Sequence, residues 1–381
     1  MKDAHVFRRT LAHRILALLA LSLPAGPTAG CLGSSSCPDD LEATTRTACF
    51  AWPPSDGAGG SGGGGGSGGG GGEPVACPSR SRADEELARS GLGNHTVTSD
   101  GTRKGDECCY EANVVPICEG RPYLVQNVAR TAPSVRTGEE RGWSAPQAIA
   151  PRVDTIDADL RAILAAEWTQ DALFEHASVA SFGRFALELL AAGAPADLVE
   201  AAHLAALDEL CHARLCFALA GAYAGEAIVP GAFPFEGRVD VVSSLASIAA
   251  RTAREGCIGE TIAASIAAEQ LAGAEDPGVA SALGIIAADE ARHAELAWRT
   301  VAWAVRVGGA PVREAVEAVF QRMEPPESMT LGASEDPRLR AHGRLGAKAL
   351  REAAARALED VVRPAARALL ARSGATSELR A

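Results

Sequence analysis

Residues 208–217 read DELCHARLCF and residues 289–298 read DEARHAELAW, so the pattern Asp-Glu-x-x-His occurs twice in this chain. Both copies lie in stretches rich in Ala and Leu, which predicts helix. Residues three apart on a helix lie about 60° apart around its axis, so the Glu and His of each copy share one face. A buried carboxylate needs a cation or a proton. The two motifs therefore indicate a cation site inside a helical domain.

Helix-breaking residues divide the second half of the chain into segments around these motifs. Pro195 and Asp276-Pro277 each start a new helix, Gly308-Gly309 stops one, and the connection at 225–239 holds too many Pro and Gly to be helical throughout. Two short turns that flank one long connection predict an all-α four-helix bundle, built as two antiparallel hairpins joined by a crossover. The predicted helices span 154–193, 196–222, 240–274, 277–306, 310–323 and 344–372.

Each hairpin also carries one Glu on the helix that precedes its motif helix: Glu175 in the first hairpin and Glu260 in the second. With these residues the sequence resembles the ferritin-like di-iron carboxylate superfamily. That superfamily takes one Glu from each of two helices and Glu-x-x-His from each of the other two. The resemblance covers residues 154–307 and implies a ferritin-like bundle.

The resemblance also implies the ligands of two metal ions. Four carboxylates, two neutral imidazoles and two divalent cations sum to zero charge, so the loaded cluster can be buried. Mixed oxygen and imidazole ligands suit two iron ions, and also Mn or Zn. The implied ligands are Glu175 and His212 for one ion, Glu260 and His293 for the other, and Glu209 and Glu290 as bridges.

The second motif, DEARH at 289–293, is similar to the Asp-Glu-x-Arg-His signature of bacterial multicomponent monooxygenases. In that family the Asp of one motif accepts a hydrogen bond from the metal-binding His of the other. The similarity implies that Asp208 orients His293 and that Asp289 orients His212, which fixes the tautomer of each ring. The first motif has a Cys in place of the Arg, so the likeness is to a type of site.

Three functions follow from such a site. The first is an oxidase or oxygenase that reacts with O2 or peroxide and with an unknown small substrate or electron donor. The second is an iron-handling ferroxidase or storage protein. The third is a non-enzymatic envelope protein in which the metal ions only stabilise the bundle. No sequence pattern names a substrate or fixes the oligomeric state.

The first 31 residues have the pattern of an export signal. Arginines precede an apolar stretch at 15–23 that is too short to span a bilayer. TAGC at 28–31 resembles a bacterial lipobox, which would lipidate Cys31; ordinary cleavage before that residue is the alternative. Arg8-Arg9 also resembles the start of a twin-arginine signal. We therefore expect an exported, membrane-anchored lipoprotein of the bacterial cell envelope that faces the periplasm.

The cysteines support export, because seven of the ten precede residue 120. Such clustering is typical of disulfides in an oxidising compartment, whereas the absence of a C-x-x-C pair disfavours a zinc knuckle. With Cys31 lipidated, six cysteines remain for three disulfides of undetermined connectivity. The candidates are Cys37, Cys49, Cys77, Cys108, Cys109 and Cys118.

The composition limits the possible partners and indicates how the chain is divided into segments. A net charge of −12 without any basic run argues against a nucleic-acid partner. The Gly-rich run at 57–72 cannot form a core and predicts a flexible tether. The expected organisation is a signal at 1–31, a Cys-containing, Gly-rich tether at 32–72, a small Cys-rich module at 73–127, a linker at 128–153, the bundle at 154–307 and C-terminal helices at 308–381.

Overall fold

A computed structural model describes most of the chain and gives a mostly helical protein with little sheet, as the sequence predicts. The predicted lipidation site Cys31, the disulfide candidates Cys37 and Cys118, and the Gly-rich run at 57–72 lie outside the described residues. The described residues are 3–20, 44–52, 76–89, 95–114, 123–125, 128–138, 142–143, 150–154, 156–235, 239–323 and 336–378.

The elements are as follows. The helices are α1 (Ala4–Ala20), α2 (Arg80–Arg89), α3 (Ala158–Ala191), α4 (Ala196–Ala224), α5 (Leu245–Thr252), α6 (Thr261–Gly273), α7 (Pro277–Gln321), α8 (Ala347–Ala357) and α9 (Arg363–Glu378). π-helical segments join α5 to α6 (Ala253–Glu260) and α8 to α9 (Leu358–Val362), and a 3-10 segment spans Pro337–His342. The strands are β1 (Thr44–Ala51), β2 (His95–Val97), β3 (Thr102–Lys104), β4 (Glu107–Val114), β5 (Leu124–Val125), β6 (Val128–Ala129), β7 (Ser134–Thr137) and β8 (Ala227–Pro230).

Two of the long helices begin at aspartates that cap them. The Asp157 carboxylate accepts a hydrogen bond from the backbone N–H of Leu160 and starts α3. Asp276 caps α7 in the same way, with Pro277 in its first turn. Gly309 interrupts α7 with φ 64° and ψ −143°, so the stop predicted at Gly308-Gly309 is a kink after which the helix resumes.

The two motif helices, α4 and α7, run antiparallel. Arg299 of α7 reaches Asp197 near the start of α4, whereas Arg292, earlier on α7, reaches Asp208, later on α4. Helix α3 packs along α4, and the α5–π–α6 segment packs along α7. Ala fills many of the buried positions, and its small side chain lets the helix axes approach closely.

Among the described residues, the strands lie in the N-terminal part and in one connection of the helical body. β4 pairs with β1, β2 and β3 in an antiparallel sheet that carries the disulfides Cys49–Cys109 and Cys77–Cys108. β7 lies inside the segment expected to be a linker, yet it pairs with β8 from Thr137↔Ala227 to Ser134↔Pro230. The alternation of exposed and half-buried side chains along β7 explains why this segment forms a strand.

Residues 4–20, which the sequence assigns to an export signal, form α1 and pack against the helical body. Leu11, Ile15 and Leu19 are buried in the main core cluster. Arg8 is only 4% exposed, and its guanidinium contacts Glu269 of α6 at 2.6 Å and Asp360 at 3.3 Å. Among the described residues, no helix is both long enough and apolar enough to cross a membrane.

Candidate metal centre

Four helical segments bring the six predicted ligands to one place. α3 supplies one Glu, the π segment ends in another, and α4 and α7 each supply a Glu-x-x-His pair. One ligand atom from each residue of a group lies within 4.8 Å of the others in that group. The two groups are Glu175, Glu209, His212 and Glu290, and Glu209, Glu260, Glu290 and His293. Glu209 and Glu290 therefore belong to both groups, which is the arrangement that the resemblance implies for bridging residues.

The histidines turn Nδ1 toward the carboxylates. Nδ1 of His212 lies 3.3 Å from a Glu290 oxygen, 3.6 Å from Glu209 and 3.7 Å from Glu175. Nδ1 of His293 lies 3.2 Å from Glu209 and 3.7 Å from Glu290. Atoms about 2.1 Å from a common ion at tetrahedral or octahedral angles are about 3.0–3.4 Å apart. The observed spacings are therefore close to those of atoms that share an ion.

The donor atoms fit a metal because they are buried and lack hydrogen bonds. Nδ1 of His212, Nδ1 of His293, and one oxygen each of Glu209 and Glu290 have no hydrogen-bond partner. These four side chains are at most 5% exposed. Leaving several carboxylates together without a counter-charge is costly in such surroundings. A divalent cation placed among them would satisfy both the charge and the lone pairs.

Two aspartates contact the outer nitrogens of the histidines. Nε2 of His212 lies 3.1 Å from Asp289, and Nε2 of His293 lies 3.3 Å from Asp208. Each aspartate thus contacts the His of the other motif, in the pairing that the resemblance implies. A proton held on Nε2 by the carboxylate leaves the lone pair of Nδ1 pointing into the cluster.

Arg292 connects the two aspartates, and sequence reasoning assigned it no role. Its guanidinium contacts Asp289 at 2.6 Å and Asp208 at 3.0 Å. The sequence shows Arg292 in the second motif, but its contact with Asp208 on α4 depends on how the helices pack. One surface arginine therefore neutralises part of the charge behind both histidines.

In the metal-free site, burial and the charges of neighbouring groups shift the pKa values of several residues. Burial, together with the charge of Glu209, raises the pKa of Glu175 well above its usual range. Burial opposes protonation of His212 and His293, but the hydrogen bonds of their Nε2 atoms to Asp289 and Asp208, together with the carboxylates that face their Nδ1 atoms, raise the pKa of both rings well above the usual value. Without metal, protons would neutralise the cluster, and a metal would displace them on binding.

The π segment Ala253–Glu260 carries Glu260, and sequence periodicity did not reveal it. The hydroxyl of Thr261 donates to the carbonyl oxygen of Cys257 at 2.7 Å, while the backbone N–H of Thr261 bonds to the carbonyl of Ile258. Such π segments inside α-helices occur frequently at functional sites.

No family model, no curated protein and no solved structure matches this chain. The functional assignment therefore depends on the residues of the site and on their geometry.

Proposed function

We propose that the helical body is a ferritin-like bundle that holds a dinuclear metal centre, with iron as its native metal. The observation that carries the proposal is the pair of overlapping groups that share Glu209 and Glu290, each completed by one His with Nδ1 turned inward. The oxygen and imidazole donors are those that iron accepts, and Mn and Zn accept them also.

We infer that this centre is reactive toward O2 or peroxide, so that the protein is an oxidase or oxygenase of an unknown small substrate. Each of the two groups contains four residues. An ion that takes about six ligands would keep open coordination sites if each residue supplied one atom. When bound, two iron(II) ions would supply electrons for reduction of the oxidant.

Accessibility differs between the two ends of the site. The Glu175 side chain is 19% exposed, whereas Glu260 is fully buried. Solvent and small molecules therefore approach from the Glu175 side. On the other side the Phe182 ring lies 5.0 Å from the His293 ring and helps to keep water out. A structural metal site would be closed all round.

We further propose that the chain is an exported lipoprotein of the bacterial cell envelope, anchored through Cys31. The two disulfides of the N-terminal sheet support a non-reducing compartment. Electrons for any turnover would then come from a donor outside the described part of the chain.

The test is metal content per chain after anaerobic loading of the full chain with iron(II), followed by measurement of O2 and peroxide consumption. We expect about two irons in the parent protein and loss of both metal and consumption in Glu209→Ala. Glu200→Gln is the matched control, because Glu200 is exposed on the same helix. Absence of bound iron in a chain with intact helical circular dichroism would refute the proposal. Two bound ions that raise the melting temperature without oxidant consumption would assign the site a structural role.

A further inference from the structure

A second buried charge cluster lies where α3 approaches the π segment Ala253–Glu260. Nη2 of Arg184 contacts both carboxylate oxygens of Glu255, at 3.0 Å and 3.2 Å. Glu188 accepts a hydrogen bond from Arg251 and lies 3.9 Å from Arg184. Two arginines and two glutamates give the cluster no net charge, so its burial does not depend on a metal.

The pair of Arg184 and Glu255 is the buried centre of this cluster. Arg184 is 4% exposed and Glu255 is 5% exposed. The guanidinium also lies over the ring of Tyr123, 5.2 Å from its centroid, which restricts its position. A planar guanidinium held on two sides fixes the direction of the carboxylate that it binds. Glu255 is therefore fixed to α3.

The geometry of the π segment links Glu255 to Glu260. In a π-helix of about 4.4 residues per turn, residues five apart lie about 50° apart around the axis, whereas in an α-helix they lie about 140° apart. The π geometry brings the two side chains toward one side of the segment, and both are buried. If the segment relaxed to an α-helix, one of the two carboxylates would rotate out of its site.

We infer that the Arg184–Glu255 ion pair is a positioning device that holds the π register of residues 253–260 and thereby aims Glu260 at the metal centre. The inference rests on the proposed function in one respect, because it takes Glu260 to be a metal ligand. Glu255 acts through the backbone and does not touch the metal. α3 carries Arg184 and also Glu175, which belongs to the first metal group. The π segment carries Glu255 and also Glu260, which belongs to the second. The ion pair therefore also connects the two segments that carry these ligands.

The test uses the full chain with Cys211→Ser, which removes an exposed thiol. Glu255→Gln and Arg184→Met each remove one charge of the ion pair, and the double variant completes a double-mutant cycle. Two quantities are measured: binding of Co(II), followed by its absorption spectrum, and the rate at which a thiol reagent modifies Cys257. Cys257 is fully buried within the π segment, so its reactivity reports the register even without metal.

We expect each single variant to weaken Co(II) binding by about tenfold or more, in line with losses seen when the supports of metal ligands are removed. The absorption spectrum should change, and Cys257 should become reactive. The double variant should lose no more than the singles, because the two residues act as one unit. Glu269→Gln is the matched control: it breaks a partly buried ion pair in α6, outside the π segment. It should lower the melting temperature and leave Co(II) binding and Cys257 unchanged.

The inference would be overturned if Glu255→Gln bound Co(II) like the parent and kept Cys257 protected while losing stability like Glu269→Gln. If the parent itself bound no metal, the proposed function would fail. The reactivity of Cys257 would still decide whether the ion pair holds the π register, so the two failures can be told apart.

Discussion

Asp208 belongs to the first Glu-x-x-His motif, yet its carboxylate lies 3.3 Å from Nε2 of His293 in the second. The reciprocal contact joins Asp289 to His212 at 3.1 Å, and Arg292 contacts both aspartates. Each motif therefore contains one inner carboxylate for the cluster and one outer carboxylate for the opposite helix. These crossed Asp–His contacts couple the orientation of α4 to that of α7.

The contact between Asp208 and Nε2 of His293 predicts the effect of Asp208→Asn. The amide has no charge and can present its NH2 group to Nε2, which would favour the wrong tautomer of His293. We expect metal affinity to fall by about 10- to 100-fold, with a small change in melting temperature because Asp208 is partly exposed. Competition with a calibrated chelator measures the affinity. Asp197→Asn is the control, since Asp197 is exposed on the same helix; an equal loss in that variant would contradict the role of Asp208.

The raised pKa values predict opposite pH dependence for the metal-free and loaded forms. The pKa of His212 and His293 lies well above 6.5 in the folded metal-free chain. Their charged forms therefore add stability that is fully present below pH 6.5 and is lost as pH rises through the folded pKa values. Melting temperature of the metal-free form should fall above pH 6.5. A loaded form needs both rings neutral and should weaken as pH falls instead. Parallel pH profiles for the two forms would contradict this prediction.

Helix α1 gives a test that uses neighbouring residues as variant and control. Arg8 is buried against Glu269 and Asp360, whereas Arg9 is exposed. Because both acidic partners are partly exposed, we expect Arg8→Ala to lower stability by about 1–3 kcal/mol and Arg9→Ala by less than about 0.5 kcal/mol. Thermal unfolding of the full chain measures the difference. Intact mass shows whether residues 4–20 are retained in the purified protein; removal of these residues would make both variants equal to the parent.

The disulfides predict a separation between the sheet and the helical body. Cys49–Cys109 joins β1 to β4, and Cys77–Cys108 closes the segment before α2 onto β4. Each bridge restricts the unfolded chain and is worth about 2–4 kcal/mol. Reduction should expose Tyr110, whose ring is buried in this sheet, and change near-ultraviolet circular dichroism. The helical signal at 222 nm should melt at an unchanged temperature; a matching loss of helix would contradict the prediction.

The clustering of Glu209, His212, Glu290 and His293 could be predicted because their pattern is local. Glu209 and His212 sit three apart against an Ala-rich background, and the repetition of that spacing in α7 made chance an unlikely explanation. The helix boundaries were close for the same reason, since capping residues such as Asp276 act on their own turn. Glu175 and Glu260 carry a weaker signal, because each is a single Glu on a helix. Their position on the helix before each motif singled them out, and the resemblance implied their role as ligands. The placement of these residues is observed, while their role as ligands stays a prediction.

The features that were missed depend on contacts across long stretches of sequence. Nothing in AREGCIGE at 253–260 separates π from α geometry, and the contact of Glu255 with Arg184 joins residues 71 positions apart. The pairing of β7 with β8 joins segments on either side of the first hairpin. The amphipathic pattern of α1 serves an export signal and a packed helix equally well, so sequence alone could not decide between them.

The unequal exposure of Glu175 and Glu260 has a kinetic consequence. The Glu175 side chain is 19% exposed and Glu260 is fully buried, so a chelator would reach a bound ion more readily from the Glu175 side. Two ions held by overlapping ligands should therefore leave in sequence, the one beside Glu175 first and the one beside Glu260 more slowly. Removal of the two ions by a chelator should therefore follow two phases. Stopping the removal after the first phase would leave a chain with a single ion beside Glu260, and a different metal could then be added beside Glu175.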